Sequence, residues 1–229
     1  MSWSWKQGVT TVIAVAALAA GATAARADRS TLSGGYFTGG FPIGDWGKIA
    51  GFGLGMDEAT IVHPDANKPL AVRGSLGLHY NFSRTTDVPS ANLGANDKLE
   101  LETKNWSLFF GLGPELAVTH GDVRPFVFGT VGFDTYWTSS NLSGTVGGLP
   151  YDAAHGDSRL GFAWSGGLGA RRKVSAGVMG ELSVEYRSGS GHEYLQPDQI
   201  TASGASVNAK RDARTTNQII VRVGTLFGM

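Results

Sequence analysis

One stretch of the chain has residue types that suit nucleophilic catalysis, the sequence Ser-Gly-Ser-Gly-His-Glu at positions 188–193. A serine nucleophile requires a base within hydrogen-bond reach and a third group that orients this base. Ser190 and His192 are two residues apart, so they would share one face if a strand continued through them. The same residues are typical of a Gly/Ser-rich loop. We therefore predict no catalytic residue and no enzyme, and the Ser190–His192 pair stays as an alternative.

The composition limits other kinds of chemistry. The chain has no cysteine, which excludes disulfides, zinc–thiolate sites and thiol nucleophiles. None of the five histidines has the spacing of a metal-ligand pair, and we predict no metal site and no cofactor. The 19 basic residues balance the 19 acidic ones, so there is no basic excess to neutralise phosphates. We therefore expect no nucleic-acid partner.

Charged residues of both signs recur on one face of segments whose other face is apolar. A charge enclosed in a protein interior needs a partner, and the guanidinium fork suits arginine to pairing with carboxylates. His79 shares this face, where we expect a hydrogen-bonded interior histidine rather than a metal ligand. We predict an interior salt-bridge network formed by Asp57, Arg73, Glu115, Asp134, Arg171, Glu181, Glu185 and Arg222.

The segments that position these residues alternate apolar and polar side chains with a period of two, which indicates β-strands. They average about a dozen residues, longer than the usual globular strand of roughly 5–6 and suited to a tilted crossing of a bilayer. Eight strands are predicted: Leu32–Phe41, Ala50–Asp57, Leu70–Ser83, Asn105–Thr119, Val127–Trp137, Arg159–Arg171, Val178–Arg187 and Gln218–Met229.

The predicted connections alternate in length, as expected for a barrel with short turns at one end and longer loops at the other. This alternation places both ends of the strand array on the side of the short turns. The tight turns are His63–Pro69, His120–Val123 and Arg172–Ser175; the long polar loops are Thr85–Glu102, Ser139–Ser158 and Ser188–Arg214; and Pro42–Gly47 is a short connection.

Alternation alone does not say which face lies outside. A soluble lipocalin-like carrier in the periplasm would place leucine, valine and phenylalanine inside. Aromatic residues near both ends of the apolar face instead favour an apolar exterior, because membrane barrels carry aromatic girdles at both interfaces. The predicted girdle residues are Tyr80, Trp106, Trp137, Tyr186 and Phe227.

The N-terminal residues read as a secretory signal peptide. Lys6 supplies a positive charge, Val9–Ala20 is an apolar run too short to span a bilayer, and Ala25-Arg26-Ala27 is a small-any-small cleavage site. The alternative is a membrane anchor or a buried helix. We predict a cleaved signal peptide at 1–27 and one barrel domain at 28–229.

The chain resembles the small bacterial outer-membrane β-barrel family, the OmpA/OmpX-like barrel domain of the porin-like superfamily. The passages that carry the resemblance are 39–46 (GGFPIGDW), 124–132 (RPFVFGTVG), 164–169 (WSGGLG) and the last predicted strand. The resemblance implies an integral protein of the cell outer membrane, and it implies fold and location more strongly than activity. It also implies an insertion signal for the barrel assembly machinery at Arg222, Gly224, Phe227 and Met229, where methionine replaces the usual final aromatic residue.

The predicted fold class is an all-β, eight-stranded antiparallel up-and-down transmembrane β-barrel. Since the interior of such a barrel is just wide enough for side chains to fill, we expect a plugged polar interior and a structural or surface-interaction role. Outer-membrane lipids and lipopolysaccharide are the expected partners, with Lys210, Arg211 and Arg214 as candidate phosphate contacts, and a monomer is expected. The alternatives are a narrow pore or small-ligand conduit, a lipid-modifying enzyme at the external rim near Ser190 and His192, and the soluble carrier.

Overall fold

The computed structural model describes residues 30–94, 97–203 and 206–228. The predicted signal peptide, its cleavage site and Met229 lie outside these residues, and what the sequence indicates for them stays a prediction.

The described chain forms one closed barrel in which each strand pairs antiparallel with the next and the last pairs with the first. Closure pairs the strand edges that an open sheet would expose. This confirms the predicted eight-stranded antiparallel fold. The strands are β1 Ser30–Ile43, β2 Gly53–His63, β3 Leu70–Asp87, β4 Lys98–Ala117, β5 Val123–Val146, β6 Leu149–Ser175, β7 Val178–Ser203 and β8 Ser206–Gly228.

The two ends of the barrel differ. Three turns, at 64–69, 118–122 and 176–177, lie at the end that holds Ser30 and Gly228, which we call the turn end. The prediction places the last turn too early, at Arg172–Ser175; the chain instead reverses at Gly177, whose φ of 73° suits glycine. The opposite end, the hairpin end, carries the other four connections.

Two predicted external loops are wrong. Ser139–Ser158 and Ser188–Arg214 are largely strand, because β5 and β6 continue to a turn at 147–148 while β7 and β8 continue to Ser203 and Ser206. The third, Thr85–Glu102, shortens to 88–97. Polar residues occupy the outer face of these extensions, for example Ser139, Asn141 and Ser143 on β5. A strand with two polar faces lacks the apolar–polar contrast by which a strand is predicted from sequence.

The connection between β1 and β2 is more than the short link predicted at Pro42–Gly47. It contains a four-residue helix, α1 (Trp46–Ile49), that folds into the barrel. Trp46, Ile49 and Ala50 are each 1% exposed, and the Trp46 ring packs edge-on against Tyr136 and Tyr194 at centroid distances of 5.3 and 5.2 Å.

The outer wall is apolar and the interior is charged. Phe37, Val131 and Leu168 are 72%, 58% and 63% exposed, and they represent a set of large hydrophobic residues that faces outward around the barrel. The soluble-carrier alternative requires these side chains inside and finds no support. Among the described residues, no helix is both long enough and apolar enough to span a membrane.

Candidate functional site

The barrel interior contains two ion-pair clusters stacked along its axis. The one nearer the turn end, the lower ionic cluster, consists of Arg73, Glu115, Arg171 and Glu181, all at most 2% exposed. Arg171 donates to both oxygens of Glu115 at 2.6 and 2.7 Å and to Glu181 at 2.8 Å. Arg73 donates to the same two carboxylates at 3.0 and 3.2 Å. Two guanidinium groups and two carboxylates thus close a neutral ring, which lowers the cost of burying each charge.

Aromatic rings cover the lower ionic cluster. The Arg171 guanidinium lies 4.1 Å from the centroid of Phe126, and that of Arg73 lies 4.6 Å from the centroid of Phe128. A guanidinium over an aromatic face gains both a cation–π attraction and a planar surface. These rings therefore pack against both arginines of the lower ionic cluster.

The upper ionic cluster consists of Asp57, His79, Glu185, Arg187 and Arg222. Asp57 accepts from His79 Nε2 at 2.7 Å and lies 3.2 Å from Arg187 and 2.8 Å from Arg222. Glu185 pairs with Arg187 at 3.0 Å and also with Arg222. The Arg187 guanidinium lies 3.9 Å from the centroid of Phe109. Each carboxylate therefore bridges two guanidinium groups.

All eight residues predicted for the interior network are buried inside the barrel, and seven of them lie in the two clusters. Asp134 lies beside Gly189 and Thr216, closer to the hairpin end. The predicted set omits Arg187 and also His79, which hydrogen-bonds to Asp57. Arg187 follows Glu185 at the two-residue spacing of one strand face, and this signal is sufficient to include it.

Apolar layers close the barrel above and below the clusters. On the side of the turn end, the inner apolar cluster consists of Tyr36, Ala59, Ile61, Ala71, Met179 and Leu226. On the side of the hairpin end, Trp46 packs with Tyr136 and Tyr194. Beyond them lies the outer apolar cluster of Val88, Leu99, Leu101, Leu142, Val146, Leu195, Ile200 and Ala202. In the described part of the chain, apolar layers at both ends thus enclose the two ionic clusters of the interior.

Polar contacts at the rim fasten the α1 segment. Arg84 donates to the carbonyl of Gly47 at 2.5 Å, and Thr86 donates to that of Lys48 at 3.1 Å. Asp45 pairs with Arg214 at 3.0 Å and with Lys48 at 2.6 Å. The ammonium of Lys48, and then the guanidinium of Arg214, hold the pKa of the Asp45 carboxyl below its usual range.

We expect Asp45→Asn to lower the free energy of unfolding by less than about 1 kcal/mol at neutral pH, because the pair with Lys48 is exposed and the pair with Arg214 is still in contact with solvent. A depressed folded-state pKa contributes stability above the ordinary aspartate value of about 4, and this contribution is lost as the pH falls through the folded-state pKa. The difference between variant and wild type should therefore shrink under acid conditions. Denaturant unfolding at neutral and acid pH measures it, and a difference that grows with acid would contradict the assignment.

The predicted girdle residues face outward. Trp106, Trp137 and Phe227 are 48%, 40% and 53% exposed. Tyr80 packs against Trp106, and Tyr186 packs against Trp164, with centroids 4.7 and 5.3 Å apart. Three further aromatic residues face outward and pack against one another: Phe41, Phe52 and Phe82. The predicted girdle omits them, although they follow the same alternation.

The residues of the proposed C-terminal insertion signal lie in different environments, some inside the barrel and some on its outer wall. Arg222 belongs to the upper ionic cluster, and Phe227 faces outward. A side chain at Gly224 would collide with the backbone of Gly35 and with Tyr36. Arg222 and Gly224 thus have packing roles of their own, separate from any role in insertion.

The candidate catalytic pair is not supported. Ser190 lies where the pairing of β7 with β8 shifts register between Gly189 and His192, so alternation across it is interrupted. Its hydroxyl donates to the carbonyl of Phe162 at 3.0 Å, and Glu193 pairs with Arg159 at 2.8 Å. The side chain of His192 is outside the described set. Among the described residues, no group of three or more potential ligands is placed to hold a metal ion.

The fold and its interior define a small closed β-barrel that is ionic inside and apolar outside. No family model matches the chain, and no curated protein matches it. Among solved structures, the chain is similar to Ail, the attachment invasion locus protein of Yersinia pestis, with 13% identity, a TM-score of 0.44, and coverage of 89% of this chain and 100% of that one.

Two other solved structures give comparable values. A major outer membrane protein from Thermus thermophilus shows 14% identity and a TM-score of 0.48, with 87% of this chain and 99% of that one covered. The outer membrane protein OprG from Pseudomonas aeruginosa shows 14% identity and a TM-score of 0.45, with 89% and 97% covered. These values describe a likeness of fold only.

Proposed function

We propose that this protein is an integral outer-membrane β-barrel with a structural or surface-interaction role, a plugged polar interior and no catalytic step. The observation that carries the proposal is the inverted distribution of its side chains. Large apolar residues line the outer wall, while Arg73, Glu115 and Glu185 are fully buried. An exterior of this kind is stable when hydrocarbon surrounds it, and only a closed barrel or a helix satisfies its backbone there.

The strand lengths support a barrel that spans the bilayer and extends beyond it. A tilted strand crosses the hydrocarbon core with roughly 9–11 residues. The strands β5, β6, β7 and β8 have 24, 27, 26 and 23 residues, and their additional length lies at the hairpin end. Because outer-membrane barrels carry their longer connections outside the cell, we propose that the hairpin end faces outward.

The outward extension has its own packed core, the outer apolar cluster, to which β4, β5 and β7 contribute. A rigid extension of this kind presents a fixed surface, which supports a surface-interaction role. Lipopolysaccharide stays a proposed partner, although two of the three candidate phosphate contacts are engaged within the chain. Arg214 pairs with Asp45 at 3.0 Å, and Arg211 lies 3.9 Å from Asp157, which leaves Lys210 as the exposed cation of the three.

The filled interior opposes the pore alternative. Ion passage would require the two ionic clusters and the apolar layers at both ends to separate. We expect no large, steady single-channel conductance in planar bilayers, with a known porin inserted under the same conditions as the positive control. Steady openings of porin-like size would contradict the plugged interior while leaving the membrane location intact.

Heat-modifiability tests the membrane barrel itself. We expect the detergent-purified protein to migrate differently on SDS gels before and after boiling, and to show a β-type circular dichroism spectrum only in detergent or lipid. A stable fold in plain buffer without detergent would overturn the proposal, because it would mean that water tolerates the apolar wall.

A further inference from the structure

A polar layer lies between the upper ionic cluster and the packed ring of Trp46. Asn81 of β3 pairs with Asn105 of β4. Ser107 of β4 pairs with His79 of β3 on one side and with Tyr136 of β5 on the other. Gln218 completes the layer from β8. Its side-chain amide donates to the Tyr136 hydroxyl at 3.4 Å. Asn81, Asn105 and Gln218 are all fully buried, so the hydrogen bonds of their amide groups must be made inside the protein.

Several atoms of this layer have no hydrogen-bond partner within the described part of the chain. Asn81 donates its Nδ2 to the carbonyl of Gly51 at 3.2 Å, but its Oδ1 accepts nothing. Gln218 Oε1 and both side-chain atoms of Asn105 are also unpartnered. In the upper ionic cluster, His79 Nδ1 and Arg187 Nη1 also have no hydrogen-bond partner among the described residues. A buried polar group that stays unsatisfied destabilises the fold.

One glycine leaves room beside these atoms. Gly40 faces the interior without a side chain, and its pair partner in β2 is Gly53, over which the amide of Asn81 lies, because a Cβ at Gly53 would be 2.7 Å from Asn81 Nδ2. A Cβ at Gly40 would lie 3.4 Å from Gln218 Oε1 and 3.7 Å from His79 Nδ1. Two unpartnered atoms from different strands therefore face the same side-chain-free position.

We propose that this layer is a binding site for internal water, centred on Gly40, that bridges Gln218, His79 and the asparagine amides. The unpartnered groups include acceptors, such as Gln218 Oε1, and donors, such as Arg187 Nη1. Water satisfies both kinds at once, whereas a metal cation cannot accept from the donors and an anion without a proton cannot donate to the amide oxygens. The guanidinium groups of Arg187 and Arg222 in the cluster below also disfavour a metal cation.

Such waters would hydrate the upper ionic cluster from inside. Buried waters commonly make about three hydrogen bonds to otherwise unsatisfied groups and are costly to remove. The ring of Trp46, packed against Tyr136 and Tyr194, covers the layer and would slow exchange with bulk solvent. This inference is independent of the proposed function, because it depends on the interior and not on what surrounds the barrel.

The test counts long-lived internal waters by oxygen-17 magnetic relaxation dispersion on the folded protein in detergent. We expect wild type to hold such waters and Gly40→Ala to lose at least one, because the added methyl would overlap a water that bridges Gln218 and His79, while its own contacts with protein atoms are no closer than 3.4 Å. Gly35→Ala is the matched control. It lies on the same strand with its Cβ facing outward and 3.9 Å from the nearest atom, so its count should equal that of wild type.

Three results would overturn the proposal. The first is a wild-type protein without long-lived internal water, a result that needs no variant to fold. The second is a folded Gly40→Ala variant with an unchanged count. The third is an unfolding midpoint that rises with sodium or potassium compared with choline chloride at equal ionic strength, which would assign the layer to a cation instead.

Discussion

Replacing Arg171 by methionine should lower the free energy of unfolding by about 3–5 kcal/mol, the usual cost of removing one partner from a buried ion pair. Arg171 makes three short hydrogen bonds, two to Glu115 and one to Glu181, and its guanidinium packs on Phe126. Its loss leaves two buried carboxylates that share the single guanidinium of Arg73. The penalty comes mainly from these stranded charges, because methionine retains much of the apolar contact.

Urea-induced unfolding from lipid vesicles, followed by tryptophan fluorescence, measures this effect. Arg172→Met is the matched control, since the neighbouring residue has the same side chain but is exposed, and surface changes usually stay within about 0.5 kcal/mol. Adding Glu115→Gln to Arg171→Met should recover part of the loss, because it removes one stranded charge. Equal effects of Arg171→Met and Arg172→Met would show that the lower ionic cluster does not stabilise the barrel.

The alternating pattern predicts the fold because a closed barrel repeats one local rule on every strand. Leu78 faces outward and His79 inward in the structure, as their positions in the pattern indicate. The rule fails where both faces become polar or where the chain leaves the strand. Residues 139–158 have a polar outer face, which leads to the mistaken loop prediction, whereas Trp46 lies in a connection without periodicity that gives no sign of burial.

The sequence predicts which residues face the interior, but it does not predict which of them form ion pairs with each other. Alternation groups these positions on one face, and the aromatic residues on the opposite face identify it as the inner one, which places Arg73, Glu115 and Glu181 inside. Which carboxylate meets which guanidinium depends on how the barrel closes. Arg73 and Glu181 are 108 residues apart and on strands that do not pair, so they meet only across the lumen. The stagger between strands sets this meeting, and no local pattern encodes it.

The effect of a charge introduced on the outer wall on the free energy of unfolding should show whether this wall faces lipid or water. Val131 is 58% exposed on β5 and lies six residues from Trp137, well inside the apolar belt. In a membrane barrel, arginine costs about 2–4 kcal/mol near the bilayer midplane and about 0–1 near the interface. We therefore expect Val131→Arg to lower the free energy of unfolding from vesicles by about 2–4 kcal/mol.

Ser139→Arg supplies the control for the same substitution on the same strand. Ser139 is exposed and faces outward two residues beyond Trp137, on the side of the hairpin end. Its replacement should cost about 0–1 kcal/mol, because arginine there reaches headgroups and water. If both variants lost less than about 0.5 kcal/mol, the wall around Val131 would be facing water, and the membrane location would fail even if the ionic interior were intact. A large loss confined to Val131→Arg would instead locate the apolar belt on the barrel, with Trp137 at its outer boundary.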